Sequence, residues 1–152
     1  MKTQNQLKDI LTGFFESHSM VGSVYYTDDF DFAAYPDIQY RVVQMQPVGN
    51  LSIIGKEVTH RFKIMIADIQ DTENYQLSDE IWNDCQLIAD DFITYFGDDD
   101  YFDFYLDYNA IDIQRFSEVG GDRQSGIVFV VSIRQTREMN PEAIPLTSNL
   151  VS

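Results

Sequence analysis

Two runs of alternating side chains, Thr59 to Ile69 and Ile127 to Gln135, constrain this chain more than any other feature of it. In the first, Phe62, Ile64 and Ile66 fall on one side and Arg61, Lys63 and Met65 on the other. In the second, Ile127, Phe129, Val131 and Ile133 oppose Val128, Val130, Ser132 and Arg134. A repeat of two belongs to a β-strand, so each run presents an apolar face that must be covered. The cover is written at helical spacing. Leu7, Ile10, Leu11, Phe14, Phe15 and His18 form one stripe, and Ile81, Cys85, Ile88, Ala89, Phe92 and Phe96 form another. For the second helix Ser78 is the expected N-cap, Asp79 and Glu80 sit where the helix dipole favours negative charge, and Gly97 is the expected left-handed C-cap residue.

Shorter β-forming runs fill the gaps. Ser23 to Thr27, with Val24, Tyr25 and Tyr26, reads as a strand, and Asp28 to Ala34 reads as a loop before Pro36 turns the backbone extended. Ile38 to Met45 pairs with the Thr59 run as an antiparallel hairpin. Its connection, Gln46 to Val58, is too long for a tight turn and carries Leu51, Ile53 and Ile54, which predicts a projecting contact arm. Further strands are predicted around Phe102 to Tyr105 and over Ile111 to Glu118, the latter joined through Gly120 and Gly121 to the Ile127 run as a second hairpin. The expected class is α+β: a mixed, mainly antiparallel sheet of about four to six strands packed by two amphipathic helices. Residues 1–136 form the single domain and 137–152 an extended C-terminal tail, a second candidate contact segment.

Composition narrows the function. Ten Lys and Arg against 25 Asp and Glu leave a net charge of −15, and between Lys63 and Arg115 there are fourteen acids and no base. Such a surface repels nucleic acid. Aromatic content of 14% supplies the apolar surface that disordered chains lack, which confines disorder to the ends. No stretch approaches the length of a membrane helix and no leader pattern opens the chain, so an intracellular product without membrane contact is expected. The single cysteine, Cys85, excludes an internal disulfide and a thiolate metal cluster, and its place on a helix stripe makes it core.

Reactive constellations are sparse. His18 and His60 are the candidates for a neutral-pH general base, yet they lie in different elements with no Ser or Cys motif beside either. His60 reads as a hydrogen-bonded residue at the core margin, and His18 as a cation favoured at a helix C-terminus. Asp98, Asp99, Asp100, Asp103 and Asp107 could offer oxygen ligands, but counting from Asp98 an EF-hand would need glycine at Asp103 and glutamate at Asn109. The Gly120, Gly121 pair opens no phosphate-binding helix. The expectation is therefore no catalytic residue, no cofactor and no metal. Arg41, Arg61, Lys63, Arg115 and Arg134 all fall on predicted strands, whereas the acids gather on and around the second helix. One reading is a basic sheet face that docks on the acidic helix face of another copy; the other is scattered surface charge.

Several local phrases resemble the phage tail-terminator and tail-completion proteins and their head-to-tail connector relatives. They are the helix Leu7 to His18 leading to Val24, Tyr25 and Tyr26; the Tyr35, Pro36 step; the run His60 to Asp68; and the helix from Ser78 ending in Phe92, Ile93, Thr94, Tyr95 and Phe96. The resemblance covers roughly Leu7 to Gln135. It implies a homo-oligomeric ring, of six, twelve or another number of subunits, in the virion tail or neck, made in the host bacterial cytoplasm. It also implies neighbouring portal, adaptor or tail proteins and a channel through which DNA passes without specific binding. No reaction is implied. The competing reading from charge alone is an acidic binding or inhibitor module, such as a nucleic-acid mimic or immunity protein that blocks a basic partner.

Overall fold

In the computed structural model the chain runs α1 (Gln4–Ser17), β1 (Ser23–Tyr26), β2 (Val42–Pro47), β3 (Ser52–Ile54), β4 (Glu57–Ile69), α2 (Leu77–Phe96), β5 (Phe104–Leu106), β6 (Gln114–Val119) and β7 (Gln124–Thr136), with a short 3-10 helix at Pro141–Ala143. The structure describes residues 1–27, 38–69, 77–97, 102–119 and 124–147. The predicted loop at Asp28 to Ala34, the Tyr35, Pro36 step, the acids Asp98 to Asp100, the turn at Gly120 and Gly121, and Leu150 and Val151 lie outside the described residues.

The two alternating runs become the centre of the molecule. β4 and β7 pair antiparallel without interruption from Glu57 opposite Thr136 to Ile69 opposite Gln124. Each long strand then carries two short ones on its outer edge: β3 and β2 on β4, β5 and β6 on β7, with β1 parallel to β2 beyond them. The fold is thus α+β, with a mixed, mostly antiparallel sheet. It has seven described strands where four to six were expected. The extra strand is β3, which lies inside the predicted projecting loop. That loop is a hairpin, closed by Gly55 and Lys56, with Gly55 at φ 59° as a two-residue turn requires at its first position.

Both helices cover one face of this sheet. Leu7, Leu11 and Phe15 of α1 and Ile81, Cys85, Ile88, Ala89, Phe92 and Phe96 of α2 are buried against Phe62, Ile64, Ile66, Ile127, Phe129, Val131 and Ile133. Phe15 stacks on Phe92 with ring centres 4.8 Å apart, and Phe92 meets Phe14, Phe96 and Phe129 edge-on. Offset and edge-to-face contacts of this kind add to the burial energy of the rings. The start of α1 is fixed by a capping box: Gln6 N–H donates to Thr3 Oγ1 at 3.2 Å, and Thr3 N–H donates to Gln6 Oε1 at 2.8 Å.

Element boundaries depart from the sequence reading at several points, among them β2, which begins at Val42 and not at Ile38. α2 begins at Leu77, so Ser78 lies within it and is no N-cap. Gly97 follows α2 without a left-handed φ; its N–H still donates to Ile93 O at 2.9 Å. The glycine is needed for space, because a Cβ there would stand 2.8 Å from the Ile93 carbonyl oxygen and 3.0 Å from the Tyr108 ring. Ile111 and Ile113 pack against the core without joining a ladder, which shortens β6 to Gln114–Val119.

Gly126 marks the tightest point of the sheet. It pairs with Ala67 on one side and Phe116 on the other, and a Cβ at 126 would be driven into the Ile66 carbonyl oxygen. Gly126→Ala is expected to cost about 3 kcal/mol, as overpacking that must move backbone, and Phe92→Ala about 3–5 kcal/mol through the cavity it leaves. Urea denaturation of both variants checks this; a Gly126→Ala protein as stable as the parent would show that the ladder relaxes freely there.

Candidate functional site: an interaction surface

The two histidines are held far apart. α1, about 20 Å long at 1.5 Å per residue, runs between His60, near the residues that precede it, and His18 at its C-terminus. His18 Nδ1 accepts from the Met20 backbone N–H at 3.2 Å, which places its proton on Nε2, where it meets Asp91 Oδ2 at 2.8 Å. This residue therefore ties the end of α1 to α2. His60 is 6% exposed. Gln135 Oε1 accepts from Lys2 N–H at 2.9 Å, and its amide nitrogen donates to Lys2 O at 2.7 Å and to His60 Nε2 at 3.2 Å. Nδ1 then carries the imidazole proton, and it has no hydrogen-bond partner among the described residues.

The other described candidates, Cys85, Asp103 and Asp107, are likewise engaged in structure. Cys85 is buried, and its thiol pKa is pushed up to about 12, first by burial and then by Asp68. Asp103 pairs with Lys2 at 3.4 Å. Asp107 accepts from the Asn109 backbone N–H at 3.1 Å, the main reason its pKa is lowered, and from Arg134. Among the described residues no group of three or more acidic, His or Cys side chains could hold a metal ion.

Charge is distributed less simply than the sequence suggested. Arg61, Lys63 and Arg134 alternate to the uncovered face of the sheet, as their registers opposite Ser132, Val130 and Thr59 require. Arg134 is neutralised there by Glu57 at 2.9 Å and Asp107 at 3.1 Å. Arg41 lies just ahead of β2, reaching Asp84 of α2 at 2.9 Å and Asp68 at 3.5 Å; the second contact leaves its buried Nε without a hydrogen bond. Arg115 points to the helix side, 5.7 Å over the Trp82 ring, whose Nε1 donates to Phe116 O at 2.8 Å. The predicted basic sheet face of five residues is thus corrected to Arg61 and Lys63, because the other three are paired or turned away. Arg61 donates to Asn50 O and Ser52 Oγ, which fixes the root of the β3 hairpin.

Cations and apolar side chains meet at one end of the sheet. The β3–β4 turn carries Lys56, and Arg137 donates from its backbone to Lys56 O and from its side chain to Gly55 O. That contact makes the hairpin and the start of the C-terminal segment neighbours. Leu51, Ile53 and Ile54 stand exposed on the hairpin, Ile54 at 74%, and Met139, Ile144 and Leu146 stand exposed on the segment that follows. Exposed apolar side chains grouped in this way mark interaction sites.

A second apolar feature lies on the outer surface of the helix layer. Ile10 and Phe14 belong to the α1 stripe but are only half-buried, since the sheet covers Leu7, Leu11 and Phe15 instead. With Gly13, Ser17, Tyr95 and Phe102 they line an open groove of about 600 Å³. Sequence periodicity gave the width of the stripe but not which part of it the body leaves uncovered.

No protein-family model matches the chain, and no curated protein matches it in sequence. Among the described residues no helix is long and apolar enough to cross a membrane.

Burial holds the His60 pKa below its ordinary 6.5, and a second proton on Nε2 would face the Gln135 amide donor. The unfolded chain therefore takes up that proton first as pH falls, and stability drops below pH 6.5 until the folded-state pKa is passed. Thermal melts are expected to show this loss as the pH falls below about 6.5, and His60→Gln to flatten it. An unchanged pH profile in the variant would assign the loss elsewhere.

Proposed function

We propose that this protein is a structural subunit of a tailed-bacteriophage virion, assembling with copies of itself into a ring of the tail or neck around the DNA channel. The observation that carries the proposal is the pairing of two unsatisfied surfaces on one subunit: the apolar, cationic hairpin end and the apolar, acid-flanked helix layer. The outer side of α2 adds Asp79, Glu80 and Asp90, which are exposed and in no ion pair with described cations. Complementary patches on different faces favour head-to-tail association, and a head-to-tail contact that closes is a ring. The net charge of −15 suits a channel wall along which a polyanion slides without being held. The fold class is the one that the connector resemblance leads one to expect. Its neighbours in this reading are portal, adaptor or tail proteins, and the subunit converts no substrate.

The purified chain is expected to give a discrete high-mass species, consistent with six or twelve subunits, in mass photometry, and annular particles in negative stain. A chain that stays monomeric at every concentration and binds a basic protein with steep salt dependence would instead identify an acidic inhibitor module.

A further inference from the structure

Resting on the ring reading, we infer that the subunit contact is made by the β3–β4 hairpin of one copy entering the α1–α2 groove of the next. Ile53, Ile54 and Lys56 form the insert, and Ile10, Phe14, Tyr95 and Phe102 form the receiving wall. Three observations support this match. The hairpin exposes apolar side chains that its own subunit does not cover, on a backbone already held by β4 and by Arg137. At about 600 Å³ the groove has the size of sites that take a ligand several side chains large. Beside it are exposed Glu16, next to Ser17, and Asp91, bonded to His18 of the lining, whereas Asp103, next to Phe102, is already paired with Lys2. Glu16 and Asp91 complement Lys56 and Arg137 at the hairpin turn.

Position makes the contact intermolecular. The hairpin extends the β4 edge of the sheet, whereas Phe102 leads into β5 on the opposite, β7 edge. A subunit therefore offers the insert at one edge and a wall of the receptor near the other, the arrangement that propagates from copy to copy.

The test uses the full chain with two introduced thiols, Ile54→Cys and Ser17→Cys, since buried Cys85 does not compete. Mild oxidation of the double variant is expected to give a ladder of covalent oligomers up to the ring, while each single variant gives at most dimers. Ile54→Asp, an exposed change that spares the fold, is expected to raise the concentration needed for assembly roughly tenfold or more, the size of a central anchor. Rings that form from the parent chain without a ladder from the double variant, and that tolerate Ile54→Asp, would place the contact elsewhere and leave the ring reading standing. A parent chain that never assembles would overturn both.

Discussion

Thirteen consecutive residue pairs join β4 to β7, and every other element hangs from that ladder. Its two strands lie far apart in sequence, so closing it is the costliest step in ordering the chain. Once closed, it sets which side chains face the helices, because a slip of one residue would send Phe62, Ile64, Phe129 and Val131 to the open side. Gly126 and Ala67 pin the register where the strands come closest. The helices then add their aromatic rings to a surface that already has one orientation.

Polar groups follow the same division of labour. Arg41 and Trp82 fasten α2 to strands on opposite sides of the sheet, one through Asp84 and Asp68, the other through the Phe116 carbonyl. Partly buried, multiply bonded contacts of this kind fix geometry more than they add stability. What they leave behind is informative: Arg61, Lys63 and Lys56 on the sheet side, and Asp79, Glu80 and Asp90 on α2, in no ion pair with described residues.

Much of this architecture was legible in the amino-acid order. Both long strands, both helices and the direction of the Cys85 face follow from periodicity, because burial on one side is what periodicity records. β3 was readable in principle from Ser52 to Thr59, where Gly55, Lys56 and Glu57 separate the β-branched pairs Ile53, Ile54 and Val58, Thr59, yet the length of the connection suggested a loop. Thr3 and Gln6 likewise spell a capping box at the right spacing. The candidate interaction surface was legible only in part. Ile53 and Ile54 announce themselves as apolar residues outside any core pattern, whereas the half-exposure of Phe14 depends on where α2 lies, and no local pattern contains that. The pairing of Arg134 with Glu57 and Asp107 was equally out of reach, since it joins β7 to β4 and to the residue just after β5, all distant in sequence.

Lys2 is bonded through both its backbone N–H and its carbonyl to the side chain of Gln135. The segment that leads into the first helix is thereby stitched to the last long strand. During synthesis α1 emerges before β7, so the tie from Lys2 to Gln135, and the part of the sheet face that β7 supplies, form only after the last long strand is made. A chaperone that holds apolar helices would find its opportunity in that interval.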